Sequence, residues 1–489
     1  MKIVLPVVLV FSVSTDTLAG PATIEITEDV LADKIHGGLV GQILGNLNGL
    51  VHEAKYLDKP GAIASYTPHL PEGARTDDDT DIEWVYITEM AGTGETFIPP
   101  GRIVELWKRH ITKGIWCANR YAAGLMELGV EPPLTGRIPL NPWADFNISG
   151  QFVCEAFGLV TPGMPRAAAE IGTYYTHVAV DGEPIQATQL FTSMIASAFV
   201  TEDLNALIEI GMAAVDARSE IHRVVADVRR WHAENPDDWR TTWKRIHGKY
   251  FRHGNTVRDW NGYELNTAAV IGSLLYGKGD FVETVRLAFC FGWDADCNAA
   301  TAGCIIGVIK GRRWMDHQGW VIKDIYRNTT RPGMPMDETI TRYAERLLRV
   351  SEMVVLRNGG EWVTREGRKA LRIRTQKPVN IESLPDPIDR LADLRREWIP
   401  RIEKDLEGEA ADTARAAYLA LCLDEFDRLA RQRPSQWKAA CDALRAHGDI
   451  IKNIHKTAGS RGRILQDKAT MAGFPAPVNV PRTGPSVTD

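Results

Sequence analysis

Two acidic clusters in this chain carry side chains that could bind a metal ion. The first is Asp77-Asp78-Asp79, and the second, more than two hundred residues later, is Asp294-Ala295-Asp296. Each cluster precedes a run with helical spacing, and the start of a helix favours negative charge through its free N–H groups and its dipole. For either cluster taken alone, a solvated acidic helix cap is therefore the alternative to a metal site.

The residues around the second cluster favour a metal site. Asp294 and Asp296 follow a mostly apolar run, 285–291, and precede a segment of small residues, 299–307. A carboxylate in apolar surroundings needs a counter-charge, because burial of an isolated charge is very unfavourable. A hard divalent cation such as Mg²⁺, Mn²⁺ or Ca²⁺, which takes oxygen ligands, is the simplest partner.

A repeat of four glycines precedes a further acidic residue, Glu53. The glycines recur at every fourth position on one face of a predicted helix, at Gly37, Gly41, Gly45 and Gly49. Inside a helix each glycine costs about 1 kcal/mol relative to alanine. The repeat therefore indicates a compensating gain, which is the close approach of a neighbouring helix or of a ligand.

Three motifs, in this order, resemble those of the ADP-ribosylglycohydrolase family, which also includes the jellyfish J1 crystallins and the hydrolase that reverses the modification of dinitrogenase reductase. They are the stretch Gly38–Asn46 followed by His52-Glu53, the element Asp77-Asp78-Asp79-Thr80, and the element Gly292–Gly303. The last is similar to a family pattern Gly-Gly-Asp-Thr-Asp-Thr-Asn-Ala-Ala. The resemblance extends from about residue 30 to residue 315 and implies a compact helical fold.

The resemblance also implies a site with two Mg²⁺ ions, or Mn²⁺ in their place. By motif, the cluster Asp77-Asp78-Asp79 binds one ion and Asp294 binds the other. Asp296 bridges the two ions, and Glu53 acts as acid or base. Glycosidic cleavage passes through an oxocarbenium-like state. Two cations can hold the ribose hydroxyls and lower the pKa of water, and a carboxylate can transfer the proton, which typically contributes about 10²–10⁴-fold.

Three positions depart from the family pattern. Asp77 stands where the family has Thr, unless Thr76 takes that place, and Asn46 stands where an Asp often follows the glycine. Cys297 stands where the family has a second Thr, and a thiol is a poor ligand for a hard ion. Cys297 either binds the metal or packs with the cysteines seven residues to either side.

Four residues are candidates for contact with the substrate. Gly150-Gln151 resembles a family segment that lines the ribose cleft, and His177 matches a Thr-His segment that could touch the nucleotide. A histidine at a helix end is also typical of a cap or a core residue. Trp293 replaces a small family residue and either stacks on a base or fills space.

Helical spacing dominates residues 28–348 and predicts an all-α catalytic domain, which the resemblance makes a compact, orthogonally packed one. A small β-rich segment, 349–378, follows, with a hairpin that turns at Asn358-Gly359. Residues 379–470 return to helical spacing and predict a helical extension. The tail, 471–489, is rich in proline and polar residues and is predicted to be disordered.

The first residues predict export of the protein. Lys2 precedes a mostly apolar run, Ile3–Val13, and small residues follow, as in a secretory signal peptide over residues 1–22. The expected location is secreted or periplasmic, and a hydrophobic leader on a cytoplasmic protein is the alternative. The run is too short to span a bilayer, and no other stretch reaches about eighteen apolar residues, so no integral membrane span is expected.

Composition excludes several other classes of protein. The net charge of −6, without a long basic run, argues against nucleic acid as a partner. A hydrophobic content of 44% and a charged content of 25% are typical of a soluble globular protein. Seven cysteines spread through a long chain argue against a disulfide framework. The sequence indicates no oligomeric state.

The expected function is that of a metal-dependent glycosidase. It would cleave the N- or O-glycosidic bond of ADP-ribosyl conjugates or of a related ribosylated small molecule. The alternative is a non-catalytic protein like the J1 crystallins. Glu53 and two acidic clusters favour the enzyme, because a structural protein has no reason to keep mutually repelling carboxylates. If the protein is exported, an extracellular nucleoside-like or glycosylamine substrate is a third hypothesis.

Overall fold

The computed structural model describes residues 22–254, 256–384, 386–457 and 459–476. Helices form most of this part of the chain and the strands form small sheets, which confirms the all-α prediction. The helices up to residue 357 are α1 Glu28–Gly49, α2 Asp78–Thr93, α3 Pro100–His110, α4 Cys117–Glu127, α5 Ser149–Phe152, α6 Glu155–Leu159, α7 Pro165–Thr176, α8 Glu183–Ala198, α9 Leu204–Ala213, α10 Glu220–Glu234, α11 Trp239–Tyr250, α12 Tyr263–Gly277, α13 Phe281–Phe291, α14 Ala295–Lys310, α15 Arg312–Asp316 and α16 Ile340–Arg357, with short 3-10 turns at Leu134–Gly136 and Val257–Asp259.

The C-terminal extension is helical, as predicted. Its helices are α17 Pro387–Asp405, α18 Ala410–Cys422, α19 Phe426–Gln432, α20 Pro434–Ala446, α21 Gly448–Lys456 and α22 Gly459–Met471. They share a core and contact α4. Tyr418 anchors this contact, because its hydroxyl donates to the Leu140 oxygen at 2.5 Å and lies 2.7 Å from the Tyr121 hydroxyl.

The structure describes only part of the two terminal segments for which the sequence makes predictions. Residues 1–21 of the predicted signal peptide and residues 477–489 of the predicted tail lie outside them. Packing continues past the predicted boundary at residue 470, since α22 ends at Met471 and Phe474 is buried. Among the described helices, none is long and apolar enough to cross a membrane.

Helices α1 and α14 pack antiparallel in backbone contact. A Cβ atom added to Gly37, Gly41 or Gly45 would lie 2.1–2.5 Å from a carbonyl oxygen of α14. In the other direction, a Cβ atom on Gly303 would lie 2.4 Å from the Gly41 oxygen. The glycine repeat therefore admits a neighbouring helix, as predicted, and brings the end of α1 to the start of α14.

Helix α14 lies in the core of the domain, in contact with α1, α8, α12 and α13. Nearly every residue of α12 and α14 is buried. Both helices have apolar or small residues on all sides rather than on one face, which is typical of a central helix. The second acidic cluster therefore begins a helix that is surrounded by protein.

Two three-stranded sheets flank the helices. The strands are β1 Thr23–Thr27, β2 Ala74–Arg75, β3 Tyr326–Arg327, β4 Asp337–Glu338, β5 Glu361–Arg365 and β6 Arg368–Arg374. β1, a strand not predicted from the sequence, pairs antiparallel with β6, which pairs with β5. β2 pairs in parallel with β3, and β3 pairs antiparallel with β4. Because β2 ends just before Asp77, this second sheet sets where the first acidic cluster begins.

The hairpin lies later in the chain than predicted. Its turn is at Glu366-Gly367, where both residues have positive φ, as a two-residue hairpin turn requires. The predicted turn at Asn358-Gly359 is wrong, because α16 continues to Arg357. Val350 and Val354 are buried at helical spacing in α16. Gly359, with a φ of 79°, then ends the helix.

Candidate metal centre

The end of α1 lies beside the start of α14. A Cβ atom on Gly49 would lie 2.5 Å from the Cα atom of Asp296. The loop that follows α1 carries Glu53 and is held to the second cluster, because Ala54 donates its N–H to the Trp293 oxygen at 2.9 Å. The glycine repeat therefore places Glu53 next to the acidic start of α14.

The first cluster reaches the same place through Asn46. The Nδ2 atom of Asn46 donates to Oδ2 of Asp77 at 3.1 Å and also donates to Asp79. Asp77 is the N-cap of α2, and Asp78 and Asp79 lie in its first turn. At the position where the family often has Asp, Asn46 supplies a hydrogen-bond donor to the cluster instead of another negative charge.

The two clusters converge into groups of side chains that could each hold a metal ion. Within each group, one ligand atom per residue lies within 4.8 Å of the others. The groups are Asp77/Asp78/Asp79, Glu53/Asp294/Asp296 and Asp79/Asp296/Cys297. Since Asp296 belongs to two groups, it lies where the resemblance places a bridging ligand. The structure thus brings all the predicted metal-binding residues together.

The most buried of these carboxylates each have one oxygen without a hydrogen-bond partner among the described residues. Asp79 is fully buried and Asp296 is 3% exposed. In each of them, Oδ1 has no hydrogen-bond partner among the described residues. An ionised carboxylate buried with an unpaired oxygen is strongly unfavourable. Oxygen ligands of this kind are what a hard divalent cation prefers, so the donor set fits such an ion.

Crowding of the carboxylates changes their pKa values. Burial and then the neighbouring carboxylates raise the pKa of Asp79 and of Asp296 well above the usual range. Burial, followed by the charges of Asp294 and Asp77, raises the pKa of Glu53 to about 8. Without a cation Glu53 therefore mostly holds a proton at neutral pH, and burial disfavours the charged forms of Asp79 and Asp296. A bound cation would lower their pKa values, because it favours the charged forms.

Amide side chains orient Asp294. Asn261 donates from Nδ2 to Oδ2 of Asp294, and Oδ1 of Asn266 accepts the N–H of Asp294 at 3.2 Å. Asn298 donates to Asn266 at 2.8 Å and accepts from Gln151 at 3.2 Å. Gln151, a predicted substrate contact, is therefore part of the buried network that holds Asp294.

The backbone before Asp294 adopts a conformation that side chains rarely take. Gly292 has a φ of 80° and Trp293 a φ of 56°, and a Cβ atom on Gly292 would lie 2.3 Å from the Tyr56 oxygen. A bulky residue with positive φ is strained, so its surroundings must hold it. Trp293 is fully buried and stacks on Trp243, with ring centroids 5.6 Å apart. This arrangement matches the space-filling alternative for Trp293.

A loop after β3 holds the start of α2. The Thr76 hydroxyl accepts the N–H groups of Thr329-Thr330 at 2.8 and 3.1 Å. Thr76 is therefore engaged with this loop, and Asp77 is the residue that joins the carboxylate cluster. In the first turns of α2, Asp81 pairs with Arg331, and both side chains are fully buried.

A buried pair of glutamates, Glu83 and Glu155, is linked to the carboxylate centre through Gln42. This pair was not predicted from the sequence. Gln42 donates from Nε2 to the Asp79 backbone oxygen at 2.7 Å and to Oε2 of Glu83 at 2.9 Å. Thr301, on α14, donates to Glu155. The pair therefore links the helices that carry the two acidic clusters.

Burial disfavours the charged forms of both glutamates in this pair. Burial raises the pKa of Glu155 to about 7. Burial and the nearby Glu155 raise the pKa of Glu83 well above the usual range. One sequence signal could have revealed Glu83, because a lone acid inside the apolar run Ile82–Ile87 needs a partner.

Gly150 and His177 make packing contacts. A Cβ atom on Gly150 would lie 2.0 Å from the Pro184 oxygen, so the close approach of α5 and α8 leaves no room for a side chain. His177 is buried, and its Nε2 lies 2.7 Å from Oε2 of Glu382, in the segment that leads to the extension. With Asp181 and Glu382 it forms a cluster separate from the carboxylate centre. This matches the core alternative for His177.

A sequence profile of the ADP-ribosylglycohydrolase family matches residues 27–355. A comparison with curated proteins gave no match. The matched range covers more than half of the 489 residues and includes α1, α2 and α14, which position the carboxylate centre. On this evidence, the chain belongs to the ADP-ribosylglycohydrolase family.

Proposed function

We propose that the protein is a divalent-metal-dependent hydrolase that cleaves the bond between ribose C1″ of an ADP-ribosyl group and a nitrogen or oxygen of its acceptor. Family membership supports a glycosyl hydrolase that acts on ADP-ribosyl conjugates. One observation carries the proposal: Asp79 and Asp296, from distant segments, meet as buried carboxylates with unpartnered oxygens. While both are ionised, such a pair is unfavourable unless a cation binds between them.

The side chains present fit two cations, Mg²⁺ or Mn²⁺. The cluster Asp77-Asp78-Asp79 would hold one, Asp294 would hold the other, and Asp296 would contact both. Bound there, such ions supply positive charge that holds the ribose hydroxyls and lowers the pKa of water. The amide network behind Asp294 and the glutamate pair behind Asp79 keep the carboxylates in place before the substrate arrives.

Glu53 is suited to proton transfer. Its side chain is partly exposed, whereas Asp294 and Asp296 beside it are buried, so Glu53 lies on the open side of the centre. Its pKa is raised to about 8 in the metal-free centre, and a bound cation would lower it toward neutral pH, the range in which an acid–base catalyst is most effective. Glu53 would accept a proton from the attacking water or donate one to the leaving group.

A panel of substrates tests the proposal. ADP-ribosyl-arginine, ADP-ribosyl-serine and an acyl conjugate are incubated with Mg²⁺ or Mn²⁺, and released ADP-ribose is measured. We expect metal-dependent release from at least one of them, and a loss of at least about 10² in turnover for Glu53→Gln with metal binding retained. The exposed Glu72→Gln is the matched control and should keep the wild-type rate. Wild-type turnover by Glu53→Gln would remove Glu53 from the chemistry.

Two further outcomes distinguish the alternatives. Metal binding without turnover on any conjugate would support a non-catalytic protein like the J1 crystallins. Turnover of simple ribosylated compounds, added to the same panel, would support a small-molecule substrate met outside the cell. Export itself stays a prediction, because residues 1–21 lie outside the described part of the chain.

A further inference from the structure

The two groups of side chains that share Asp296 differ in chemistry. Glu53, Asp294 and Asp296 offer three carboxylates. Asp79, Asp296 and Cys297 offer two carboxylates and a thiol. In both groups the ligand atoms lie within 4.8 Å of one another. The group that contains Asp79 therefore offers a sulfur ligand in place of a third carboxylate oxygen.

We propose that the centre contains two unequal cation positions, and that Cys297, grouped with Asp79 and Asp296, adds a thiolate to the position at the first acidic cluster, which then prefers an ion softer than Mg²⁺, such as Co²⁺ or Zn²⁺. The inference refines the metal centre on which the proposed function rests. The second position, at Asp294 and Asp296 with the acid–base residue Glu53 beside them, has only carboxylate oxygens and remains suited to Mg²⁺ or Mn²⁺.

Unsatisfied oxygens indicate that a ligand belongs in the mixed position. Oδ1 of Asp79 and Oδ1 of Asp296 have no hydrogen-bond partner among the described residues, and both side chains are more than nine-tenths buried. Both residues belong to the group that contains Cys297. A cation bound by these carboxylates and the sulfur would supply the missing counter-charge.

The backbone fixes the sulfur in this place. Cys297 lies in the first turn of α14, directly after Asp296, and is 4% exposed. Helix α14 cannot easily rotate, because Gly41 and Gly303 hold it in backbone contact with α1. Cys304 lies two turns further along the same helix and belongs to none of the ligand groups found among the described residues. Cys304 therefore provides a matched control.

Thiolates and carboxylates select different ions. A thiolate favours soft or borderline ions such as Zn²⁺, whereas carboxylates suit Mg²⁺, Ca²⁺ and Mn²⁺. If Cys297 is a ligand, the mixed position should resist competition from Mg²⁺, and the carboxylate position should not. A thiol that only fills space would leave both positions with the same preference.

Titration with Co²⁺ tests the proposal without a substrate. Metal-free protein is titrated under anaerobic conditions, bound metal is counted by elemental analysis, and absorption from sulfur-to-cobalt charge transfer is followed in the near ultraviolet. We expect this band to saturate with one bound Co²⁺ per chain, and to persist when excess Mg²⁺ displaces the other. Two bound Co²⁺ ions without the band would overturn the proposal.

Two substitutions sharpen the result. Cys297→Ala should lose the band and bind the thiolate-side Co²⁺ at least roughly tenfold more weakly, while Cys304→Ala keeps both. Cys297→Thr supplies an oxygen in case the Ala variant does not fold, and should lose the band while gaining Mg²⁺ affinity. A band retained by Cys297→Ala or Cys297→Thr would overturn the proposal. A wild-type band without any glycohydrolase turnover would overturn the proposed function alone, and turnover without the band would overturn this inference alone.

Discussion

Gly41 and Gly303 contact each other through their backbones: a Cβ atom on Gly41 would lie 2.1 Å from the Gly303 oxygen, and one on Gly303 would lie 2.4 Å from the Gly41 oxygen. No other residue type fits either position. About two turns beyond this contact, the same pair of helices brings Gly49 and Asp296 together. The position of the second acidic cluster beside the end of α1, which carries Asn46 and leads to Glu53, is therefore set by glycine in the core.

Substitution of Gly41 should separate the helices. Gly41→Ala is expected to lower the free energy of unfolding by about 1–3 kcal/mol, because the added methyl group overpacks a rigid backbone contact. Gly92→Ala is the matched control, since a Cβ atom added to Gly92, in α2, would meet no heavy atom within 4 Å, and this variant should be more stable by about 0.4–1 kcal/mol. Denaturant unfolding measures both. Equal effects at the two positions would argue against a required close contact.

Removal of Arg331 should strongly destabilise the start of α2. Arg331→Met leaves the fully buried Asp81 without its cationic partner, which is expected to cost about 3–5 kcal/mol. The double variant Arg331→Met/Asp81→Asn should regain part of the lost stability, because the buried charge is then removed as well. Arg396→Met, which breaks an exposed ion pair with Asp393, is the control and should cost less than about 1 kcal/mol. Denaturant unfolding gives the free energy of unfolding of wild type and of each variant. A loss of stability in Arg331→Met as small as that in Arg396→Met would contradict the role of the buried ion pair.

Glu155 should make the metal-free protein less stable as the pH rises. Its pKa is raised from 4.5 to about 7 by burial, so the folded state holds a proton that the unfolded state releases. The resulting cost is absent below pH 4.5, grows through the window from 4.5 to about 7, and is fully present above it. Glu155→Gln removes this cost, so the stability of the variant relative to wild type should rise between pH 5 and pH 8, by roughly 3 kcal/mol at most.

Unfolding of both proteins in the presence of a chelator checks the effect of Glu155. The chelator keeps both proteins free of metal, so the acidic clusters titrate in the same way in variant and wild type. The contribution of the clusters to the pH dependence of stability then cancels in the comparison. Glu83 faces Glu155 and contributes with the same sign, so part of the pH dependence should remain in the variant. Parallel stability profiles for the two proteins would show that Glu155 does not hold a proton in the folded state.

Local patterns were sufficient to predict the parts of this centre that follow from helix geometry. The four-residue spacing of glycines predicted a close helix contact, because residues four apart share one face of a helix. The acidic clusters were predicted as metal ligands because apolar or small residues flank Asp294 and Asp296. The resemblance then joined the clusters, and the grouping of Asp79 with Asp296 agrees with it.

Contacts between distant segments account for what the sequence did not reveal. β1 pairs with β6 across most of the chain, and five residues are too few for a clear strand pattern. The pairing of Glu83 with Glu155 depends on the packing of α2 against neighbouring helices. The predicted position of the hairpin is wrong because Asn-Gly is typical both of a hairpin turn and of the end of a helix. The buried valines of α16 show that Asn358-Gly359 ends a helix here.

The rate of metal-dependent ADP-ribose release by Asp79→Asn, Asp296→Asn and the double variant tests most directly whether the two acidic segments form one catalytic metal centre. If they do, chelation abolishes the wild-type rate, each single substitution removes most of it, and the double variant is no slower than the slower single variant. Circular dichroism confirms that each variant is folded. A wild-type rate that survives chelation, or a loss in the double variant equal to the product of the two single losses, would contradict a shared centre.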